Sequence, residues 1–476
     1  MNVRKFFKKR GVWMKERIDL TEGKITEKLI KLALPIMGTS FIQMAYNMID
    51  MIWVGKAGSS AVAAVGTAGF FPWLGMALIA ISRVGGEVQV AQSMGKNDIE
   101  STKSYIKAAI EVNIILAILY TLILLVFKDG LIGFFNLGDA DVIRMSKEYL
   151  VIVAIGMIFY FINPIFTAIF NGMGNSKTPF RINTIGLITN IILDPLLIIG
   201  FGPIPKLGVA GAAIATVFSQ VVVTMCFIVM IIKRNDQYFK IMFFKNINFE
   251  YYKALVKLGM PVAIQSGMFT IFSMLLGVIV ASWGPVAIAA QKVGAQIEAI
   301  SWMTADGIAV AFSSFSGQNY GANKYDRINK GFKITLIIAS LLGILNTLIL
   351  IFGGKSIFTI FINETETIAE GTKYLKILGY SQLFMCVEII TSGAFKGIGR
   401  TYIPSIVVTV LTGARVPIAY FLSSPEILGL SGVWWSITIT SIIKGILMIS
   451  VYLYLLKSNK LYRDNKHDIK TKTILR

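Results

Sequence analysis

The chain has 476 residues, 55% of them hydrophobic, with a mean hydropathy of +0.68 and a formal net charge of +20 at pH 7. So apolar a composition excludes a soluble protein with a single packed core, because too little polar surface remains to face water. Two cysteines and one histidine exclude a disulfide framework and make a zinc or iron site, or an intramembrane histidine base, a poor fit.

The N-terminal segment, 1–28, is basic and carries Phe6, Phe7, Val12 and Trp13, with no long apolar core and no small-residue cleavage site. It reads as a cytoplasmic surface segment resting on anionic headgroups, not as a secretory signal. Apolar runs of about 20 residues or more, the length that spans a hydrocarbon core, then follow at roughly 29–54, 60–93, 102–127, 145–171, 179–201, 207–232, 253–281, 285–317, 331–353, 372–396, 402–423 and 429–456. The predicted fold is an all-α polytopic membrane protein with twelve transmembrane helices in two pseudo-symmetric six-helix lobes. The N-lobe covers 29–232 and the C-lobe 253–456, with a charged, hinge-like linker at 233–252 and a polar tail at 457–476 that holds His467.

Lobes are predicted because the stretch from Lys31 to Asn97 returns, without a gap, as Lys257 to Asn323. Pro35 meets Pro261, Gly58 meets Gly284, Gln92 meets Gln318 and Gly95 meets Gly321. Further on, Tyr149 answers Tyr374, Gly172 and Gly174 answer Gly397 and Gly399, and Pro179 answers Pro404. Gly208 and Gly211 answer Gly429 and Gly432. An even number of spans in each half makes the halves parallel repeats about an axis along the membrane normal.

Most of the 46 Lys and Arg residues fall on one side of this arrangement. They crowd the N-terminal segment, the connections at Lys96, Lys177, Lys233 to Lys257, Lys324 to Lys333 and Lys396 to Arg400, and the tail. By the positive-inside rule that side, with both termini, is cytoplasmic. The net charge is thus an orientation signal in the inner cell membrane and gives no support to a nucleic-acid partner.

Charges inside spans are expensive and mark pathways or ion sites. The spans hold Asp50, Glu87, Glu111, Asp194, Glu298, Asp306 and Glu388 against Arg83, Lys292, Arg415 and Lys444. Asp50 and Asp194 share a depth roughly 8–11 Å below the outer surface at a rise of 1.5 Å per residue. Asn190 lies one turn from Asp194, Pro195 breaks the next backbone bond, Thr216 sits at a comparable depth, and Asn163 is a further polar candidate. These hard oxygens suit Na⁺ or H⁺; their alternative role is to tie helices together. In the second half Leu276 replaces Asp50, Glu388 replaces Asn163 and Arg415 replaces Asn190. A Glu388–Arg415 ion pair is expected, since each charge would otherwise stand unpaired in lipid, with a second substrate or proton site as the alternative. Arg83 and Glu87, four residues apart, suggest a pair sealing or gating the inner face, and Lys292, Glu298 and Asp306 suggest a cavity lining. No clustered catalytic set appears, so no enzyme is expected, and no cofactor beyond a coupling ion.

Leu34-Pro35, Asp50 with Val54-Gly55, Ala63-Ala64, Gly259-Met260-Pro261, Gly317-Gln318-Asn319-Tyr320-Gly321 and Asn190…Asp194-Pro195 together resemble the multidrug and toxic compound extrusion (MATE) transporters, over roughly residues 25 to 457. The resemblance implies two six-helix lobes around a cleft that opens alternately to either side. It also implies export of small cationic amphipathic compounds against inward Na⁺ or H⁺, by a protein expected to work as a monomer. It further implies that Asp50, Asn190 and Asp194 form the N-lobe coupling site of the DinF-like branch, since span 7 lacks the acid of the NorM-like branch. The alternative function is a flippase for a lipid-linked oligosaccharide, whose cavity should be rich in Arg and Lys rather than in acids.

Overall fold

The computed structural model describes residues 17–462 except 201, 203, 204 and 246. The first part of the basic segment and most of the tail, His467 included, lie outside the described residues. Within them every predicted span is helical. In chain order the helices are α1 (Ile25–Ala57), α2 (Ser59–Ala68), α3 (Phe70–Gly95), α4 (Ile99–Val126), α5 (Lys128–Gly133), α6 (Ala140–Gly172), α7 (Lys177–Ile198) and α8 (Gly208–Arg234). The second half continues with α9 (Phe249–Ala281), α10 (Pro285–Gly321), α11 (Tyr325–Phe358), α12 (Thr365–Gly379), α13 (Gln382–Gly397), α14 (Tyr402–Leu422) and α15 (Leu430–Lys457). A short 3₁₀ turn, Gln237–Phe239, stands between the halves.

Among the described residues ten spans are long and apolar enough to cross a membrane, α2 and α3 together making one, and α12 with α13, bent by 53°, makes an eleventh. The remaining predicted span, α10, runs 37 residues. Its polar residues, Lys292, Glu298 and Asp306 among them, lower its hydropathy below that of the others.

Two compact units form. The first takes Leu34–Ala263 with the described residues before Thr21; the second takes Thr21–Ala33 and the described residues from Ile264 on. The division therefore falls inside α1 and α9 and not at the expected lobe ends. In the first unit α3 packs on α4 and α6, and α8 on α6 and α7; in the second α10 packs on α13, α13 on α11 and α15, and α14 on α15.

The repeat is visible in atomic detail. A Cβ on Gly172 would lie 2.7 Å from the Glu87 carbonyl oxygen, and one on Gly397 would lie 2.4 Å from that of Ser313, its repeat mate. Two turns end alike beyond these contacts, Gly174 at φ 78° and Gly399 at φ 82°, in the left-handed region that glycine enters without steric cost.

The connection expected to be a hinge is instead folded onto the first unit. Glu111, deep on α4, accepts hydrogen bonds from the Phe244 amide and the Tyr252 hydroxyl, and Lys107 donates to the Lys245 carbonyl. Arg17 pairs with Asp236 at 2.5 Å, Phe239 stacks on Phe170, and Tyr251 meets Tyr105 edge-on. A buried carboxylate needs donors, and the connection supplies them.

Candidate functional site

Asp50 comes from α1, Asn190 and Asp194 from one face of α7, and Thr216 from α8. Four residues separate Asn190 from Asp194, so they stack one helical turn apart, and the Asn190 amide donates to Asp194 Oδ1 at 2.8 Å. Both are fully buried, while Asp50 and Thr216 are half-buried. The charges of Asp50 and Asp194 lie within electrostatic range of each other. Tyr46, one turn before Asp50, donates to the Thr216 carbonyl at 3.2 Å and ties α1 to α8 at the site.

Four oxygens in this group are sealed from solvent and take no hydrogen bond: Asp50 Oδ1, Asn190 Oδ1, Asp194 Oδ2 and Thr216 Oγ1. Three of them can only accept, unless a carboxyl is protonated. A buried acceptor without a donor costs about 1–3 kcal/mol, more when charged. A proton on one carboxyl, or a hard monovalent cation coordinated by these oxygens, relieves that cost, and the donor set fits either. Among the described residues no group of three or more His, Cys, Asp or Glu is placed to hold a metal ion.

Asn163 stands apart from this group in its bonding. Its amide nitrogen donates to the Gln220 carbonyl (3.0 Å) and side-chain oxygen (2.8 Å), and its oxygen accepts from Thr224 at 2.7 Å. Both the nitrogen and the oxygen of Asn163 are thus engaged within the first unit.

In the second unit the expected Glu388–Arg415 ion pair is absent among the described residues. Glu388 pairs with Lys444 at 3.3 Å, whereas Arg415 donates from Nε to Thr440 at 3.1 Å and from Nη2 to Ser441 at 3.2 Å. Thr440, Ser441 and Lys444 share one face of α15, so both charges reach the same helix, and Lys444, a turn further on, takes the carboxylate. Glu298 accepts from Gln382 at 3.3 Å and from Tyr374 at 3.5 Å, and Gln382 in turn accepts from Ser301. Lys292 is exposed and Asp306 half-buried on α10. Arg83 is half-buried and Glu87 buried on α3, where the Glu87 carbonyl meets Gly172. Sequence reasoning missed Tyr46, Gln220, Tyr374 and Gln382, and gave Lys444 no partner.

The MatE family profile matches residues 35–196 and 261–421, one copy in each half and together well over half of the chain. The chain belongs to the MatE family. A probable multidrug resistance protein NorM of Thermotoga maritima is 27% identical over 437 residues, 90% of this chain and 92% of that protein. The multidrug export protein MepA of Staphylococcus haemolyticus is 23% identical over 440 residues, 90% and 94% of the two chains. Among solved structures, a MOP superfamily transporter from Pyrococcus furiosus shares the fold with a TM-score of 0.84 at 23% identity, covering 92% of this chain and 98% of its own. This MatE protein is therefore a multi-pass membrane protein of a multidrug-efflux transporter family.

Proposed function

We propose that the protein is a secondary antiporter that exports small cationic amphipathic compounds across the cytoplasmic membrane in exchange for inward Na⁺ or H⁺, with Asp50, Asn190, Asp194 and Thr216 as the coupling site. The observation that carries this reading is the set of four buried oxygens without donors. Two carboxylates in a low-dielectric setting resist ionising together, so the site is stable when a proton or cation joins it. With that ion gone, the exposed negative charge attracts a cationic solute. Exchange of the two is the coupling step, and each ligand shifts the equilibrium only by its differential affinity for the two states. The sign agrees with export: an ion arriving from outside displaces the solute, and its release inside restores affinity. The arrangement is of the DinF-like kind, with its acids in the first half, and both termini are read as cytoplasmic.

The test is efflux of a fluorescent organic cation from vesicles with Na⁺ and pH gradients imposed separately. Asp50→Asn and Asp194→Asn keep shape but lose the charge, and each should abolish gradient-driven efflux with expression and insertion intact. Wild-type efflux by either variant would remove coupling from this site.

A further inference from the structure

Phe244, in the connection between the halves, adopts φ 55°. That left-handed conformation is costly for a bulky side chain and persists only where the surroundings impose it. Here α4 imposes it. Glu111 accepts a hydrogen bond from the Phe244 amide, and Lys107, one turn nearer the helix start, donates to the Lys245 carbonyl. Tyr105 and Ser101 extend the contact to Tyr251. The segment 240–249 is thereby laid along the first half of α4.

The level at which it lies follows from α4 itself. Val126 ends the helix, and the charged Lys128 and Asp129 follow at once. Counted back from Val126 at 1.5 Å per residue, a hydrocarbon core of about 30 Å ends about 20 residues earlier, near Ile106. Lys107 and Glu111 therefore stand at the inner boundary of the hydrocarbon, and so does the backbone they hold. The apolar surface agrees with that level. On α4, Ile115, Ile118, Leu119 and Leu122 are exposed, a stripe of the kind lipid covers, whereas no residue between Glu100 and Ile115 is exposed. Where the stripe stops, the connection exposes apolar side chains of its own: Met242, Phe243, Phe244, Ile247 and Phe249 are 45–77% exposed.

So dense a run of exposed apolar side chains marks a contact surface and not a loop in water. Lys240 and Lys245 are exposed beside it, and the sequence from Gln237 to Phe249 contains no acid. Aromatic and apolar side chains mixed with lysines, with no carboxylate to repel a phosphate, are complementary to the headgroup layer of an anionic membrane. We propose that residues 240–249 form an interfacial site for anionic phospholipid, with Met242, Phe243 and Phe244 entering the headgroup boundary, Lys240 and Lys245 meeting lipid phosphates, and Glu111 with Lys107 fixing the segment at that level. None of the coupling residues takes part.

The measurement is made on the full chain in nanodiscs, with bimane attached at Met242→Cys, a position 71% exposed. The parent chain, treated alike, supplies the background from Cys226 and Cys386, and Ile247→Cys repeats the reading at a second exposed position. Discs of phosphatidylcholine are compared with discs in which part of it is phosphatidylglycerol, each with and without brominated acyl chains as quencher. The label should emit to the blue of its position in water and be quenched by brominated lipid, more strongly when phosphatidylglycerol is present. Each lysine near an anionic surface strengthens the attraction about fivefold, so Lys240→Gln with Lys245→Gln should lower the ratio of quenched to unquenched label in phosphatidylglycerol discs about 25-fold. Water-like emission without quenching in both kinds of disc overturns the proposal. So does blue emission that brominated lipid does not quench, which would seat a protein surface on the segment. Quenching that neither phosphatidylglycerol nor the two lysines change overturns it as well, since an apolar contact would remain with no anionic site.

Discussion

Lys444 Nζ stands 3.3 Å from Glu388 Oε2, with only 9% and 10% of the two side chains exposed, between α15 and α13. Removing one member of a buried pair leaves an uncompensated charge at a cost of about 3–5 kcal/mol, whereas removing both can be close to neutral. Glu388→Gln should therefore lower the melting temperature more than Glu388→Gln with Lys444→Met. A thermal double-mutant cycle reads the difference, and additive losses would dissolve the pair. The same cycle with Arg415 in place of Lys444 should show weaker coupling, because Arg415 rests on Thr440 and Ser441.

Thr216 and Asn163 are separated by their bonding, and transport should separate them too. Thr216→Val keeps the side-chain shape but removes an oxygen that takes no hydrogen bond, so the ion concentration for half-maximal efflux should rise about tenfold, or ~1.4 kcal/mol. Asn163→Ala breaks the closed network with Gln220 and Thr224 and should cost stability, about 1–3 kcal/mol for the partners left unsatisfied. Its ion dependence should stay close to that of the wild type. An ion dependence more sensitive to Asn163 than to Thr216 would place the site around the wrong residues.

Gly172 and Gly397 make the same close helix contact in each half, and neither has room for a methyl group. Gly172→Ala and Gly397→Ala should each destabilise by about 1–3 kcal/mol, since a carbonyl at 2.7 or 2.4 Å cannot give way as a flexible side chain can. Gly55→Ala is the control. Nothing lies within 4 Å of its added Cβ, and Ala favours a helix by up to about 1 kcal/mol, so it should be neutral or mildly stabilising. Comparable losses at all three positions would refute the packing account.

Glu111 pins the connection between the halves through Phe244, Tyr252 and Lys107. Glu111→Ala removes the acceptor, and local opening should become easier by ~1 kcal/mol, which raises trypsin cleavage between Lys233 and Lys253 about fivefold. In vesicles the cleavage should occur only from the cytoplasmic face, as the concentration of Lys and Arg on that side requires. Cutting from the outside would reverse the topology.

The repeat and the positions of the spans were legible in the sequence, because helix length and hydrophobicity are local properties that the bilayer thickness fixes. Pro35 with Pro261 and Gly172 with Gly397 already announced two copies of one unit, and the structure repeats even the carbonyl contacts. Asn190 and Asp194 could be joined by helical spacing alone. What the sequence could not assign was partnership across helices. Glu388 was expected to pair with Arg415, and only the rotation of α13, α14 and α15 about their axes decided that Lys444 takes it while Arg415 meets hydroxyls. The same holds for Asn163, whose amide is engaged by Gln220 and Thr224, and for the linker, expected to be hinge-like because its charges give no hint of the buried Glu111 beneath it. Spans follow from chain chemistry counted residue by residue. Pairing depends on which faces the packed helices turn toward each other, and that is set by the sum of many side-chain contacts that no local pattern records.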